Sequence, residues 1–322
     1  MASCPMALPH RLLAYVGPRP PAAGEGLRLA LWQGEGAAGT EAAVLANLER
    51  LEHVCALAAA QGAQLLAFPE LYLSGYIVTP ALARRLAEPL EGPSLARVAA
   101  AARRHGLAVA CPYPERAWVA GEECFFDAIA LFDAEGRLLR NYRKTHLWGP
   151  DEHLCWSAGY RHPEEGPAFT VQRVNGLPLG LLNCYEAEFP ELTRRLALQG
   201  AKLVLIPTAA DAWAVLSNGV RTDRPYPDVS RTLLPAHAFE NGCFVAYVNR
   251  CGMETVNGIP MAAYLGNSVI CGPHGDLVLA ARAEPTLLVA DCLPGDYGPT
   301  HPAATSYLAD RRPELWAEPP PG

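Results

Sequence analysis

Four side chains in this sequence combine a reactive group with a place at or just beyond the end of a strand pattern. The apolar run Leu179-Gly180-Leu181-Leu182 ends at Asn183-Cys184-Tyr185, and Phe189-Pro190-Glu191 then opens an amphipathic segment with proline in a helix-start position. A thiol at such a turn meets the positive end of a helix, which favours a thiolate, and the outward-pointing amides there could hold a developing oxyanion. The same residue read alone is equally a small buried core thiol. Glu70 ends LLAFPE, Lys144 closes LLRNYRK, and Glu152 falls in the loop THLWGPDEHLCW. Each also has a plain reading: a helix-capping acid, a hairpin-edge charge and a solvated loop acid. Their shared place is what distinguishes them, because α/β folds put ligands beyond strand ends.

The lysine stands out for another reason. Of 26 basic residues only Lys144 and Lys202 are lysine; the other 24 are arginine. A lysine kept against that background is a candidate for a task that needs a compact ammonium.

The surrounding pattern supplies elements to carry these groups. Leu27–Trp32 reads as a buried strand, and apolar residues at Val44, Leu48, Leu51, Cys55 and Ala58 mark a helix over 41–61 that stops at Gly62. Residues 64–68 are a strand, 94–105 a helix capped by Gly106, and 107–111 a strand. Residues 125–132 and 138–142 flank Asp133-Ala134-Glu135-Gly136 as a hairpin. The second half repeats this grammar with strand 179–183, helix 189–199, strand 203–206, helix 230–241, strand 244–249, a hairpin from 267–271 and 277–281, and strand 287–291. Asp211–Asp228 reads as a long loop of the kind that lines substrate sites. The sum is one α/β layered domain over 27–293 with an internal pseudo-repeat. A flexible extension (1–26) precedes it, and a Pro-rich tail (294–322) follows, placed at a subunit interface or loose.

Bulk composition narrows the function classes. Half the residues are hydrophobic, 18% are charged and the net charge is −7, so the chain is globular and offers no nucleic-acid surface. Ten cysteines without a CxxC pair argue against metal or redox spacing and fit a reducing, cytoplasmic setting. No apolar run approaches the ~18 residues of a membrane span.

FPELYLSGY, YRKTHL and NCYEAEFPE together resemble the three motif segments of the nitrilase superfamily of carbon–nitrogen hydrolases, in that family's order, within a match from about Leu27 to Asp291. The resemblance implies an α-β-β-α sandwich that pairs into homodimers. It implies a Glu–Lys–Cys triad at Glu70, Lys144 and Cys184, with Glu152 as a second glutamate, and neither metal nor organic cofactor. In that chemistry Cys184 attacks an amide carbon and Glu70 is the general base. Lys144 and the Tyr185 amide hold the oxyanion, each donor typically worth about 3 kcal/mol.

Within the superfamily, Cys184-Tyr185-Glu186 is similar to the CYD segment of amidase-type branches, with Glu186 standing where Asp is usual. Ala187 and Glu188 occupy positions where N-carbamoyl-amino-acid hydrolases place arginines, so an anionic substrate is disfavoured. Tyr76, Trp148, Tyr185, Glu188 and Trp213 are candidate substrate contacts, and Trp156 a further aromatic wall. The expected activity is ammonia release from a small carboxamide through a thioester. The alternatives are ureido cleavage of an N-carbamoyl amine, nitrile hydrolysis, and a catalytically silent oligomeric scaffold.

Overall fold

The computed structural model describes residues 8–76, 79–301, 303 and 305–315. In chain order the first half runs β1 (Arg11–Tyr15), β2 (Leu27–Gln33), α1 (Glu41–Ala60), β3 (Leu65–Ala67), α2 (Pro80–Leu86), α3 (Pro93–His105), β4 (Ala108–Val119), β5 (Glu122–Phe132), β6 (Leu138–Arg143) and α4 (Gly149–Cys155). The second half runs β7 (Val171–Val174), β8 (Leu177–Leu181), α5 (Pro190–Leu198), β9 (Leu203–Thr208), β10 (Asp211–Ala214), α6 (Leu233–Asn241), β11 (Phe244–Asn249), β12 (Cys251–Val256), β13 (Ile259–Leu265), β14 (Val269–Cys271), β15 (Leu277–Ala280) and β16 (Thr286–Cys292).

Two large sheets face one another. One has the order β1-β16-β2-β3-β4-β5-β6, the other β15-β14-β11-β9-β8-β7. Between them Leu27, Leu29, Leu31, Leu65 and Ile129 meet Leu179, Leu181, Leu203, Leu205 and Phe244 in a continuous apolar layer. The opposite face of the first sheet, with Ala30, Trp32 and Leu66, packs on Leu48, Leu51, Val98 and Ala102 of α1 and α3. The second sheet packs in the same way on Leu196 and Leu234 of α5 and α6. The layering is therefore α-β-β-α. The first half of the chain supplies one helical layer and six strands of the first sheet, the second half supplies the other layer and sheet, and β16 returns to the first sheet between β1 and β2. A strand sandwiched on both faces reads as an unbroken apolar run, which is why every residue of β2 is buried.

Glycine is required at one close contact in this packing. A Cβ on Gly180 would lie 2.7 Å from Leu196 Cδ1, so its absence lets α5 sit directly on β8.

Several expectations are corrected. Within the extension 1–26, residues 1–7 lie outside the described residues, but Arg11–Tyr15 is an ordered edge strand, parallel to β16 with Leu13 opposite Leu288. Arg28 helps hold the chain that follows it. It is buried, and its guanidinium bonds Asp291 at 2.7 Å, Gly17 O at 2.8 Å and Arg19 O at 3.0 Å. The 211–228 stretch is not all loop, since Asp211–Ala214 pairs with β13 in a third sheet of order β10-β13-β12. Helix 230–241 begins as a 3₁₀ turn at Val229–Arg231, and the α-helix starts only at Leu233, which puts Pro235 in the first turn, where its missing N–H is tolerated. The hairpins β7–β8 and β12–β13 were not expected. They turn at Asn175-Gly176 and Asn257-Gly258, with all four residues at positive φ between 49° and 79°.

The described part of the tail packs back on the domain, with Tyr297 edge-on to Phe244 at 5.4 Å and Tyr307 against Phe239 at 5.6 Å. No helix among the described residues is long and apolar enough to cross a membrane.

Candidate active site

The parallel runs β2–β3–β4 and β8–β9–β11 present their C-terminal ends at the same edge of the sandwich. Glu70 lies three residues beyond β3, Cys184 three beyond β8, Thr208 at the end of β9, and Arg250 one beyond β11. The Glu70 amide donates to Thr208 O at 3.3 Å, tying the two sheets together at this point. Lys144 follows β6 directly, and its amide bonds Asp127 O at 2.9 Å.

Glu152 is not in a loop, as the sequence suggested, but in the first turn of the short helix α4. Pro150 and the acids Asp151 and Glu152 suit a helix start, where the dipole favours negative charge. The Trp148 amide donates to Glu152 Oε2 at 2.7 Å.

These elements deliver three carboxylates to one ammonium. Lys144 Nζ lies 2.6 Å from Glu70 Oε1, 2.7 Å from Glu152 Oε1 and 3.7 Å from Asp127 Oδ2, all of these groups being buried. Tyr76 donates its hydroxyl to Glu152 Oε1 at 2.8 Å. Burial by itself would push the lysine down, but Glu152 and Glu70 outweigh it and hold Lys144 well above its usual range, as an ammonium. Burial raises Glu152, an effect opposed mainly by Lys144 and reinforced by Glu70. Oxygens of Glu70, Asp127 and Glu152 come within 4.8 Å of one another, a spacing that could also serve a cation; here the lysine supplies the positive charge.

Cys184 adjoins this cluster, and burial followed by the Glu70 charge pushes its thiol well above the ordinary range, against the pull of Lys144. It is therefore a thiol at rest. Its Sγ lies 3.0 Å from Thr208 Oγ1, itself 3.1 Å from the Tyr247 hydroxyl. The residue sits at φ 50°, in the left-handed region, as the first residue of a 3₁₀ turn (Cys184–Glu188) that precedes α5. A non-glycine residue there is strained, and such strain persists only where neighbours enforce it. Tyr185, next in that turn, carries one of the amides that a helical start leaves without an intrahelical acceptor.

Glu186 is one of those enforcing neighbours, and its role was not legible in the sequence. Its Oε2 accepts from Asn183 N and the Tyr142 hydroxyl, each at 2.7 Å, and its Oε1 accepts from Thr145 N at 2.6 Å and from Thr145 Oγ1. One carboxylate thus locks the segment after Lys144 to the turn that carries Cys184. Glu186→Ala is expected to cost about 2–4 kcal/mol of stability by orphaning buried donors, and to lower kcat with it. Urea melts and initial rates check this, and Glu186→Asp, too short to reach both segments, should fall between.

Arg250 performs a similar task behind Glu70. Its Nε and Nη2 donate to Glu70 O at 3.0 and 2.9 Å, and Nη2 also to Leu71 O at 2.6 Å, bracing a turn whose Leu71 has φ 46°. Its Nη1 pairs with Glu254 Oε2 at 3.4 Å, which accepts the Tyr76 amide at 3.0 Å.

A family model for carbon–nitrogen hydrolases matches residues 28–302. The chain belongs to the carbon–nitrogen hydrolase family. It is 41% identical over 273 residues to a hydrolase of the pqqF 5′ region in Pseudomonas protegens, covering 85% of this chain and 86% of that one. It is 34% identical to an (R)-stereoselective amidase of a Pseudomonas species, covering 85% and 89%. Among solved structures it is similar to a nitrilase-superfamily amidase from a Nesterenkonia species, with a TM-score of 0.70, 33% identity, and 91% and 95% of the two chains covered.

Beside the cluster the hydrolase has a cavity of about 340 Å³, lined by Tyr76, Glu152, Trp148 and Trp156 at the cluster end and by Leu82, Leu216, Val256, Ile259 and Met261 further out. No lysine, arginine or histidine is among its lining residues. Of the candidate contacts, Tyr76 and Trp148 line this cavity and the others do not. The Trp213 ring is covered by the Arg221 guanidinium at 3.8 Å. Tyr185 packs edge-on to Phe189 at 5.0 Å. Glu188 accepts a hydrogen bond from Tyr226, whose ring lies 5.8 Å from that of Trp148. Tyr226 lies in the 211–228 stretch, of which Asp211, Ala214–Ser217 and Gly219 line the cavity, although nothing in the sequence singled out Tyr226 within it.

Proposed function

We propose that this hydrolase is a thiol amidase that releases ammonia from an uncharged or cationic carboxamide with an apolar body. The observation that carries the reading is a lysine ammonium gripped by Glu70 and Glu152 beside a buried, strained Cys184. Amides are poor electrophiles with poor leaving groups, and a covalent route splits the difficulty into two steps. Cys184 Sγ attacks the carbonyl carbon as Glu70 takes the thiol proton. That transfer leaves the total charge of the buried cluster unchanged, which suits a group whose free thiolate is disfavoured there. Lys144 and the Tyr185 amide hold the oxyanion. The proton returns to the departing amine from Glu70, with Glu152 orienting Lys144 and the substrate. Water activated by the same carboxylate then releases the acid.

The cavity sets the substrate class. Aromatic and aliphatic walls favour an apolar acyl group, and a substrate carboxylate would find no cation among the lining residues to offset Asp151, Glu152 and Asp211. Relatives of the hydrolase include both an amidase and, at 27% identity, the N-carbamoylputrescine amidase of Arabidopsis thaliana, so ureido cleavage is the competing outcome.

An ammonia-release screen over carboxamides, N-carbamoyl amines and nitriles tests the reading, with mass detection of an acyl group on Cys184. Neutral apolar carboxamides should exceed their carboxylate-bearing analogues at least ~10-fold in kcat/KM. Carbon dioxide released with the ammonia would shift the assignment to carbamoyl amines. Absence of both turnover and iodoacetamide labelling at Cys184 would favour the scaffold.

A further inference from the structure

We propose that Asp127 is a positioning residue that keeps its proton and donates it to the free oxygen of Glu70, aiming that base at Cys184. The inference rests on the amidase reading for its kinetic consequence, but not for its structural one.

Hydrogen-bond donors are unevenly shared among the three buried carboxyl groups. Glu152 is well supplied, by Lys144, Tyr76 and the Trp148 amide. Glu70 receives Lys144 on Oε1 only, and its Oε2 is buried without a donor. Both carboxyl oxygens of Asp127 are likewise buried without a donor, and the Lys144 ammonium, 3.7 Å from Oδ2, lies beyond hydrogen-bond distance of it while bonding its two closer partners. Glu70 and Asp127 are two fully buried, donor-poor carboxyls with oxygens within 4.8 Å of each other, where ionising both is strongly disfavoured and a shared proton is the arrangement that satisfies both. One cation can offset two anions here, not three.

The proton belongs to Asp127. Glu70 has the ammonium at 2.6 Å, whereas Asp127 lies an ångström further away. The charged groups facing Asp127 are Glu70, Lys144 and Glu152. Burial, then Glu70, raises its carboxyl well above the usual range, Lys144 opposes this, and Glu152 adds to it. Neutral Asp127 then acts as an O–H donor on a rigid strand, fixing the rotamer of Glu70 and stabilising its charged form. Nothing in the motif pattern marks Asp127, which sits inside the strand FFDAIALF.

Asparagine offers an N–H in place of the O–H, whereas leucine offers no donor. D127N should therefore keep kcat within about 3-fold of the wild type, with the acid limb of kcat/KM unmoved. D127L should lose at least ~30-fold in kcat with little change in KM, and its acid limb should move to higher pH because Glu70 has lost a donor to its charged form. An Asp127 ionised in the working enzyme gives the opposite result: D127N moves the limb to lower pH and loses as much activity as D127L. Either that pattern or a D127L indistinguishable from the wild type overturns the proposal.

Stability supplies a test independent of any substrate, so failure of this inference is separable from failure of the amidase reading. A carboxyl that holds its proton when folded but ionises near 3.8 when unfolded loses stability as pH rises through the neutral range. Relative to D127N, the wild-type unfolding constant should grow by up to about tenfold per pH unit between pH 6 and 8. A pH-independent difference between the two proteins over that range would overturn the proposal even if both are active.

Discussion

Cys184→Ala is expected to lower kcat by about 10⁴-fold or more while leaving the fold and substrate binding in place. The loss is large because the thiol that lines the cavity, Cys155, is pushed up to about 11 by burial and by the charges of Asp151 and Glu152, and the Tyr76 and Ser217 hydroxyls there are tied to Glu152 and Asp151. The fold should survive because the thiol is small, contributes one contact to Thr208 and leaves the strained backbone unchanged; alanine at φ 50° carries the same left-handed penalty. A stability change within about 1 kcal/mol follows. Cys184→Ser tests the acidity argument, because a hydroxyl is a far weaker acid than a thiol and Glu70 would have to remove its proton in the same buried setting. Its activity should stay near the alanine level. Rapid-quench rates, intact-mass detection of an acyl adduct and thermal melts check these points together. An alanine variant that turns over at the wild-type rate would dismiss the thioester route outright.

How much of this site was legible without coordinates depended on whether a residue acts through its own type or through a neighbour. Glu70, Lys144 and Cys184 were marked by places at strand ends and, with the loop acid Glu152, by the resemblance of three motif segments taken together; the fold carries Glu70 and Glu152 to Lys144, beside Cys184. The lysine was marked twice, by place and by rarity. Glu186, Arg250, Thr208 and Asp127 were invisible as site residues because each works through a long-range contact. Glu186 reaches Tyr142 over 44 residues and Arg250 reaches Glu70 over 180, separations that no local pattern encodes.

The two alternating large sheets were readable from apolar runs. The small third sheet was not, since β12 and β13 mix exposed and buried residues and gave no clean period. Their Asn257-Gly258 turn, like Asn175-Gly176, did carry a hairpin signal that composition alone obscured. Tyr185, Glu188 and Trp213, like Cys184 itself, are not among the residues that line the cavity, because proximity in sequence to a motif does not set the direction of a side chain. The edge strand Arg11–Tyr15 was missed because its pairing partner, β16, lies more than 270 residues away.

Lys144→Met should be the most damaging single change to the cluster, affecting folding and chemistry together. Removing the ammonium leaves Glu70 and Glu152 buried 2.6–2.7 Å from where it stood, with no other cation within ion-pair distance of either among the described residues. Orphaned buried charges of this kind cost about 3–5 kcal/mol. The two carboxyls can escape that cost only by taking up protons, which raises their folded-state values above those of the unfolded chain. Stability contributed by such groups is present at low pH and is lost as pH rises through the folded values. The variant should therefore lie nearest the wild type at about pH 5 and furthest from it at pH 8, the reverse of an ordinary acid-sensitive salt-bridge protein. Turnover should fall by at least ~10³-fold at every pH, since an oxyanion donor and the ion-pair partner of Glu70 disappear together. Lys144→Arg is the sharper comparison. The chain uses arginine for 24 of its 26 cations, yet a planar guanidinium cannot occupy a site built for a point charge equidistant from two carboxylates. Arginine should restore part of the stability and little of the rate, and full recovery of both would mean that only the charge matters there, not its shape.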